Sequence, residues 1–99
     1  MYLIRDVFKA KPGKAKNLVE IFKNVSPVMM KMGAKGTRVM TDVVSDYWTV
    51  IWEFEMENMQ DYFSSLENRD PEMKAEIARI MEGYMDLVME GHREIFRIH

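Results

Sequence analysis

The sequence predicts an α+β chain in the order βαββαβ, folded as a four-stranded antiparallel sheet with helices on one face. Three observations carry this prediction. Residues 2–9 have the β-branched and aromatic content of a strand, and from about residue 14 the apolar positions take helical spacing. Residues 37–54 return to strand character around a short polar turn. Asp70-Pro71 then opens another helical stretch, and HREIFRI at 92–98 closes the chain as a strand. The 99 residues make one domain, 1–99.

Taken in order, YLIRDVFK places Tyr2, Ile4, Asp6 and Phe8 on one face and Leu3, Arg5, Val7 and Lys9 on the other. Neither face is wholly polar, so both are expected to be covered. Lys11-Pro12-Gly13-Lys14 breaks the strand. Leu18, Ile21, Phe22, Val25, Met29 and Met32 form the buried stripe of the first helix, with a kink expected at Pro27 and a stop at Gly33. TRVMTDVV at 37–44 and YWTVIWEF at 47–54 read as a hairpin about Ser45-Asp46. A two-residue loop sets Val44 opposite Tyr47, Val43 opposite Trp48, Val39 opposite Trp52 and Arg38 opposite Glu53. Asn58 caps a short helix with Met59, Tyr62, Phe63 and Leu66 on its apolar side. Met73, Ile77, Ile80, Met81, Tyr84 and Val88 mark the buried face of the last helix, which Gly91 ends.

Composition removes several functions. With 14 basic and 16 acidic residues the net charge is −2, without the basic excess of a nucleic-acid binder. No apolar run is long enough for a membrane span, and Arg5 and Asp6 interrupt the opening segment. A cytoplasmic location is the expectation. The absence of cysteine excludes thiolate catalysis and sulfur-ligated metal. The eleven methionines mostly occupy predicted core positions, where an unbranched side chain fills irregular gaps. His92 and His99 have no metal-ligand spacing, and no metal or other cofactor is expected. Lys9, Lys11, Lys14 and Lys16 surround a solvated turn; Gly13 alone does not make a phosphate loop.

This order of elements is the ferredoxin-like plan. Helices on one side leave the face bearing Met40 and Ile51 open, and a second copy of the sheet would cover it in a two-fold dimer. The chain resembles the dimeric α/β-barrel superfamily, and within it NIPSNAP-like and antibiotic-biosynthesis-monooxygenase-like proteins. The resemblance rests on Tyr2…Arg5 leading to Lys11-Pro12-Gly13-Lys14, on Lys31…Gly33, on Val50-Ile51-Trp52-Glu53-Phe54-Glu55, and on Asp70-Pro71-Glu72-Met73. It implies a homodimer through facing sheets and a ligand held between sheet and helices. Phe8, Trp48, Trp52, Phe54, Tyr62 and Phe63 are then the ligand-lining candidates, or simply core rings.

Asp6 is the candidate catalytic residue. A carboxylate beneath aromatic rings loses hydration, which raises its proton affinity and suits a general base acting on a phenol or enol. The resemblance adds that haem-degrading and monooxygenase relatives carry a polar side chain at about this point. The alternative is structural: Asp6 paired with Arg5, Arg38 or Arg97, or solvated at a strand edge. The indole N–H of Trp52 needs an acceptor once buried, from a ligand or from Asp6. Haem-degrading relatives carry an axial histidine on the second helical region, and no histidine lies between residues 57 and 91. Three functions stay open: a small-molecule-binding NIPSNAP-like protein, a cofactor-independent monooxygenase acting on a phenol or quinol, and a structural dimer without a pocket.

Overall fold

A computed structural model describes residues 1–67 and 70–99, with the side chains of residues 65 and 66 left out. Leu66, expected on an apolar stripe, therefore lies outside the described side chains. The elements run β1 (Tyr2–Ala10), α1 (Ala15–Lys31), β2 (Lys35–Thr41), β3 (Thr49–Met56), α2 (Met59–Glu67), α3 (Pro71–Ile80), a 3₁₀ turn (Tyr84–Leu87) and β4 (Val88–Arg97). The strands form one antiparallel sheet in the order β2-β3-β1-β4. Side chains from all three helices meet the sheet face that carries Asp6, Trp52 and Phe54. The result is two layers measuring 35 × 35 × 18 Å, the α+β architecture expected. No helix among the described residues is long and apolar enough to cross a membrane.

The core follows the stripe read from the sequence. Leu18, Phe22, Val25 and Met29 of α1 are buried against Ile4, Val50, Trp52 and Phe54. The helix runs on through Pro27 and ends where Gly33, at φ +100°, lets Gly33 and Ala34 donate back to the carbonyls of Met30 and Met29. Asn58 caps α2 by accepting the Asp61 N–H at 2.7 Å. Asp70 caps α3 by accepting the Glu72 N–H, with Pro71 at the first helical position.

Two boundaries depart from the sequence reading. The hairpin keeps the expected register, with Arg38 opposite Glu53 and Val39 opposite Trp52, but its strands part at Thr41 and Thr49. Asp42 Oδ1 takes the Thr49 N–H at 2.8 Å, and Thr49 Oγ1 donates to the Asp46 carbonyl at 2.7 Å. These side-chain bonds close the loop over residues 42–48 and divert groups that a two-residue turn would have left in the ladder. Val43 and Val44, expected to pair with Trp48 and Tyr47, are 97% and 94% exposed instead. Trp48 sits in the loop at φ +64° and is 42% exposed.

The last helix is also shorter than its periodicity implied. It ends at Ile80, because Gly83 at φ +80° leaves the helical region and turns the chain into the 3₁₀ segment. Val88, read as a helix position, begins β4 and pairs with Ala10. The methionines divide accordingly. Met29 and Met56 are buried, whereas Met30, Met85 and Met89 are exposed.

Candidate functional site

Strand register assembles the site. Asp6, central in β1, faces Trp52 on one neighbouring strand and Arg93 on the other. All three side chains border one cavity, so they share the helix-facing side of the sheet. Asp6 is 5% exposed. Arg93 Nε donates to Asp6 Oδ1 at 2.6 Å, and Arg93 Nη2 reaches Asp6 Oδ2 at 3.5 Å. The guanidinium carbon lies 5.8 Å from the centre of the Tyr62 ring, a cation–π distance. The hydrogen bond to Asp6 is the main reason that Arg93 is held above the ordinary arginine pKa, and partial burial opposes it.

The partner of Asp6 is thus Arg93 rather than Arg5, Arg38 or Arg97. Arg5 and Arg38 lie on the opposite face, where Glu53 forms an ion pair with Arg5, whose Nε is 3.2 Å away, and also pairs with Arg38 Nε, the cross-strand pair expected. Arg97 sits over Tyr2, its guanidinium carbon 5.7 Å from the ring centre. Trp52 likewise has an unforeseen partner: Nε1 donates to Ser26 Oγ at 3.1 Å, and Ser26 Oγ donates to the Phe22 carbonyl at 2.7 Å. Neither Asp6 nor a ligand is needed to satisfy that indole.

Beside the pair lies a cavity of ≈ 150 Å³, walled by Asp6, Arg93, Trp52, Phe54 and Tyr62 with Val25, Met29, Ile77 and Met81. Asp6 and Arg93 also border a larger recess of ≈ 350 Å³ with Phe8, Tyr84, Met85 and Met89. The rings form a continuous series. Phe22 stacks on Trp52 with centroids 5.2 Å apart and 4° between planes, and Phe8 stacks on Phe22 at the same separation. Trp52 meets Phe54 at 5.3 Å, and Phe54 meets Tyr62 at 6.2 Å. One face of Trp52 is therefore core packing, while its residue also borders the cavity.

Of the residues singled out in the sequence, Asp6, Trp52, Phe54 and Tyr62 come together at the smaller cavity and Phe8 at the larger recess. Phe63 packs on Tyr62 at 5.5 Å and is 52% exposed, bordering neither. Trp48 borders a separate recess with the rest of the hairpin loop and with Ala15 and Val19 of α1. Arg93 and Ser26 are the residues missed. Extending the last strand back to Val88 and pairing it antiparallel with β1 would have set Arg93 opposite Asp6.

No known protein-family profile matches the sequence. No curated protein matches it either. Solved structures do. An uncharacterised NIPSNAP-domain protein from Burkholderia xenovorans superposes with a TM-score of 0.76 at 14% identity, over 100% of this chain and 95% of its own. A candidate antibiotic biosynthesis monooxygenase from Deinococcus radiodurans gives 0.74 at 13% identity, over 100% and 93%. A NIPSNAP family protein from Agrobacterium tumefaciens gives 0.70 at 14% identity, over 99% and 92%. The chain thus has the ferredoxin-like fold of NIPSNAP and antibiotic-biosynthesis-monooxygenase-like structures, the group that its strand and turn motifs resemble. Likeness at these identities is one of fold, which by itself assigns no role.

Proposed function

We propose that the chain binds a small aromatic molecule in the cavity beside Asp6 and Arg93, as a homodimer formed through facing sheets. The observation that carries the reading is a buried ion pair set in the wall of an aromatic-lined cavity. Taking a carboxylate out of water is costly, and apolar residues of similar volume often serve stability as well or better. A core built only for packing has no use for Asp6 at that position. A binding site has one, because a few converging polar groups in an apolar recess orient a ligand.

The other sheet face supports the dimer. Leu3, Val7, Met40 and Ile51 are half-buried there and Phe96 is exposed, around a row of paired charges. Arg38, Glu53, Arg5 and Glu94 succeed one another across all four strands, with His92 Nε2 3.1 Å from Glu94. Paired charges among apolar side chains make a face that a two-fold copy can cover with its own.

Native mass spectrometry of freshly purified protein tests both parts. A dimer carrying a defined extra mass is the expected result. A monomer at every concentration would remove the facing-sheet arrangement. An empty protein that also takes up no single-ring aromatic compound at millimolar concentration would remove the binding site.

A further inference from the structure

We infer that the cavity selects an uncharged, single six-membered ring carrying a hydrogen-bond donor and an acceptor on adjacent atoms, the chemistry of a catechol. This rests on the reading above that the cavity binds a ligand.

Size sets the first limit. The space beside Asp6 and Arg93 is ≈ 150 Å³, and a protein cavity of about 150 Å³ holds one benzene ring. A second fused ring would project beyond that space. Trp52, Phe54 and Tyr62 supply aromatic walls, and Met29 and Met81 supply polarisable ones.

The polar wall sets the second limit. A carboxylate and a guanidinium that satisfy each other fully make two short parallel bonds. Here the first limb is short, Nε to Oδ1 at 2.6 Å, and the second is stretched, Nη2 to Oδ2 at 3.5 Å. Oδ2 belongs to a residue only 5% exposed, and this long contact is its single hydrogen bond among the described residues. Arg93 Nη2, the donor beside it, makes no shorter hydrogen bond among them. The opened side of the pair therefore offers one acceptor and one donor next to each other. A ring hydroxyl can donate to Oδ2 while the adjacent oxygen accepts from the guanidinium.

Charge sets the third. The pair is neutral as a unit, so a ligand carboxylate that meets Arg93 also meets the Asp6 carboxylate, and a ligand cation meets the guanidinium. An uncharged ligand incurs neither repulsion. A phenolic hydroxyl, with an ordinary pKa of about 10, is uncharged at neutral pH.

Isothermal titration of the wild-type protein at pH 7 tests this with catechol, toluene, benzoate, 1,2-dimethoxybenzene and naphthalene-2,3-diol. Catechol is expected to bind about tenfold or more tightly than toluene and 1,2-dimethoxybenzene, since only catechol pairs with both groups of the stretched limb. Benzoate and naphthalene-2,3-diol should bind more weakly than catechol. Arg93→Lys keeps the charge and removes the forked donor, so catechol's advantage over toluene should collapse while circular dichroism confirms the fold. Benzoate binding tighter than catechol would overturn the charge argument, and naphthalene-2,3-diol matching catechol would overturn the size argument. Toluene equalling catechol, or an advantage surviving Arg93→Lys, would show that the ion pair does not read the ligand, with the pocket itself still standing. Failure of all five compounds to bind would overturn the pocket along with its selectivity.

Discussion

Arg93 and Asp6 depend on each other. Replacing Arg93 with Met strands a buried carboxylate and should cost about 2–3 kcal/mol in urea unfolding, a loss moderated because Arg93 is itself half-exposed. The double variant Asp6→Asn, Arg93→Met should recover part of it; full additivity would show that the pair is not coupled. The pH dependence contributed by Arg93 has a definite sign. Its pKa is raised above the ordinary arginine value by the hydrogen bond to Asp6, so this contribution is fully present below that ordinary value and is lost only as pH rises through the raised one. Ser26→Ala removes the acceptor of a buried indole N–H and should cost about 1–2 kcal/mol, read from the same unfolding curves. Asp6 was legible in the sequence as a carboxylate on an otherwise apolar strand face. Its partner was not, because Arg93 is defined by register with a strand whose start was misplaced. Ser26 was hidden for a related reason: a small hydroxyl in a helical stripe gives no sign of which strand residue it will meet.

Glycines separate two physical effects at the level of the elements. Gly83 turns the chain out of α3 at φ +80°, with open space where a Cβ would be. Gly83→Ala should therefore cost about 1 kcal/mol through backbone strain alone. Gly91 lies in β4 beneath Phe8, and a Cβ there would fall 2.6 Å from Phe8 Cδ1. Gly91→Ala should cost about 1–3 kcal/mol by pushing that ring off Phe22. Thermal unfolding ranks the two, and Gly83→Ala proving the more harmful would contradict this account. Periodicity placed the elements because burial on one face of a sheet or helix leaves a repeat in the sequence. Their ends escaped it where single residues redirect the chain. Gly83 ended α3 within a stretch whose apolar spacing still looked helical at Tyr84 and Val88. Asp42 and Thr49 closed the hairpin loop with side-chain bonds that a two-residue turn did not anticipate.

Across the whole molecule, one sheet face is covered by helices, and the proposed dimer would cover the other. Ile51→Glu places a charge among Val7, Met40 and the paired charges of the open face, and should turn the proposed dimer into a folded monomer by analytical ultracentrifugation. Retention of the dimer would move the interface elsewhere. The central claim concerns the other face, and the methionines report on it directly. Met29 and Met81 border the cavity beside Asp6, Met85 and Met89 border the larger recess, and Met30 projects to solvent. Methyl-labelled methionine NMR during a toluene titration would follow each site at once. Ring-current shifts concentrated at Met29 and Met81, with Met30 unmoved, are the predicted result. Shifts confined to Met85 and Met89, or absent from every methionine, would contradict the assignment of the binding site to the Asp6–Arg93 cavity.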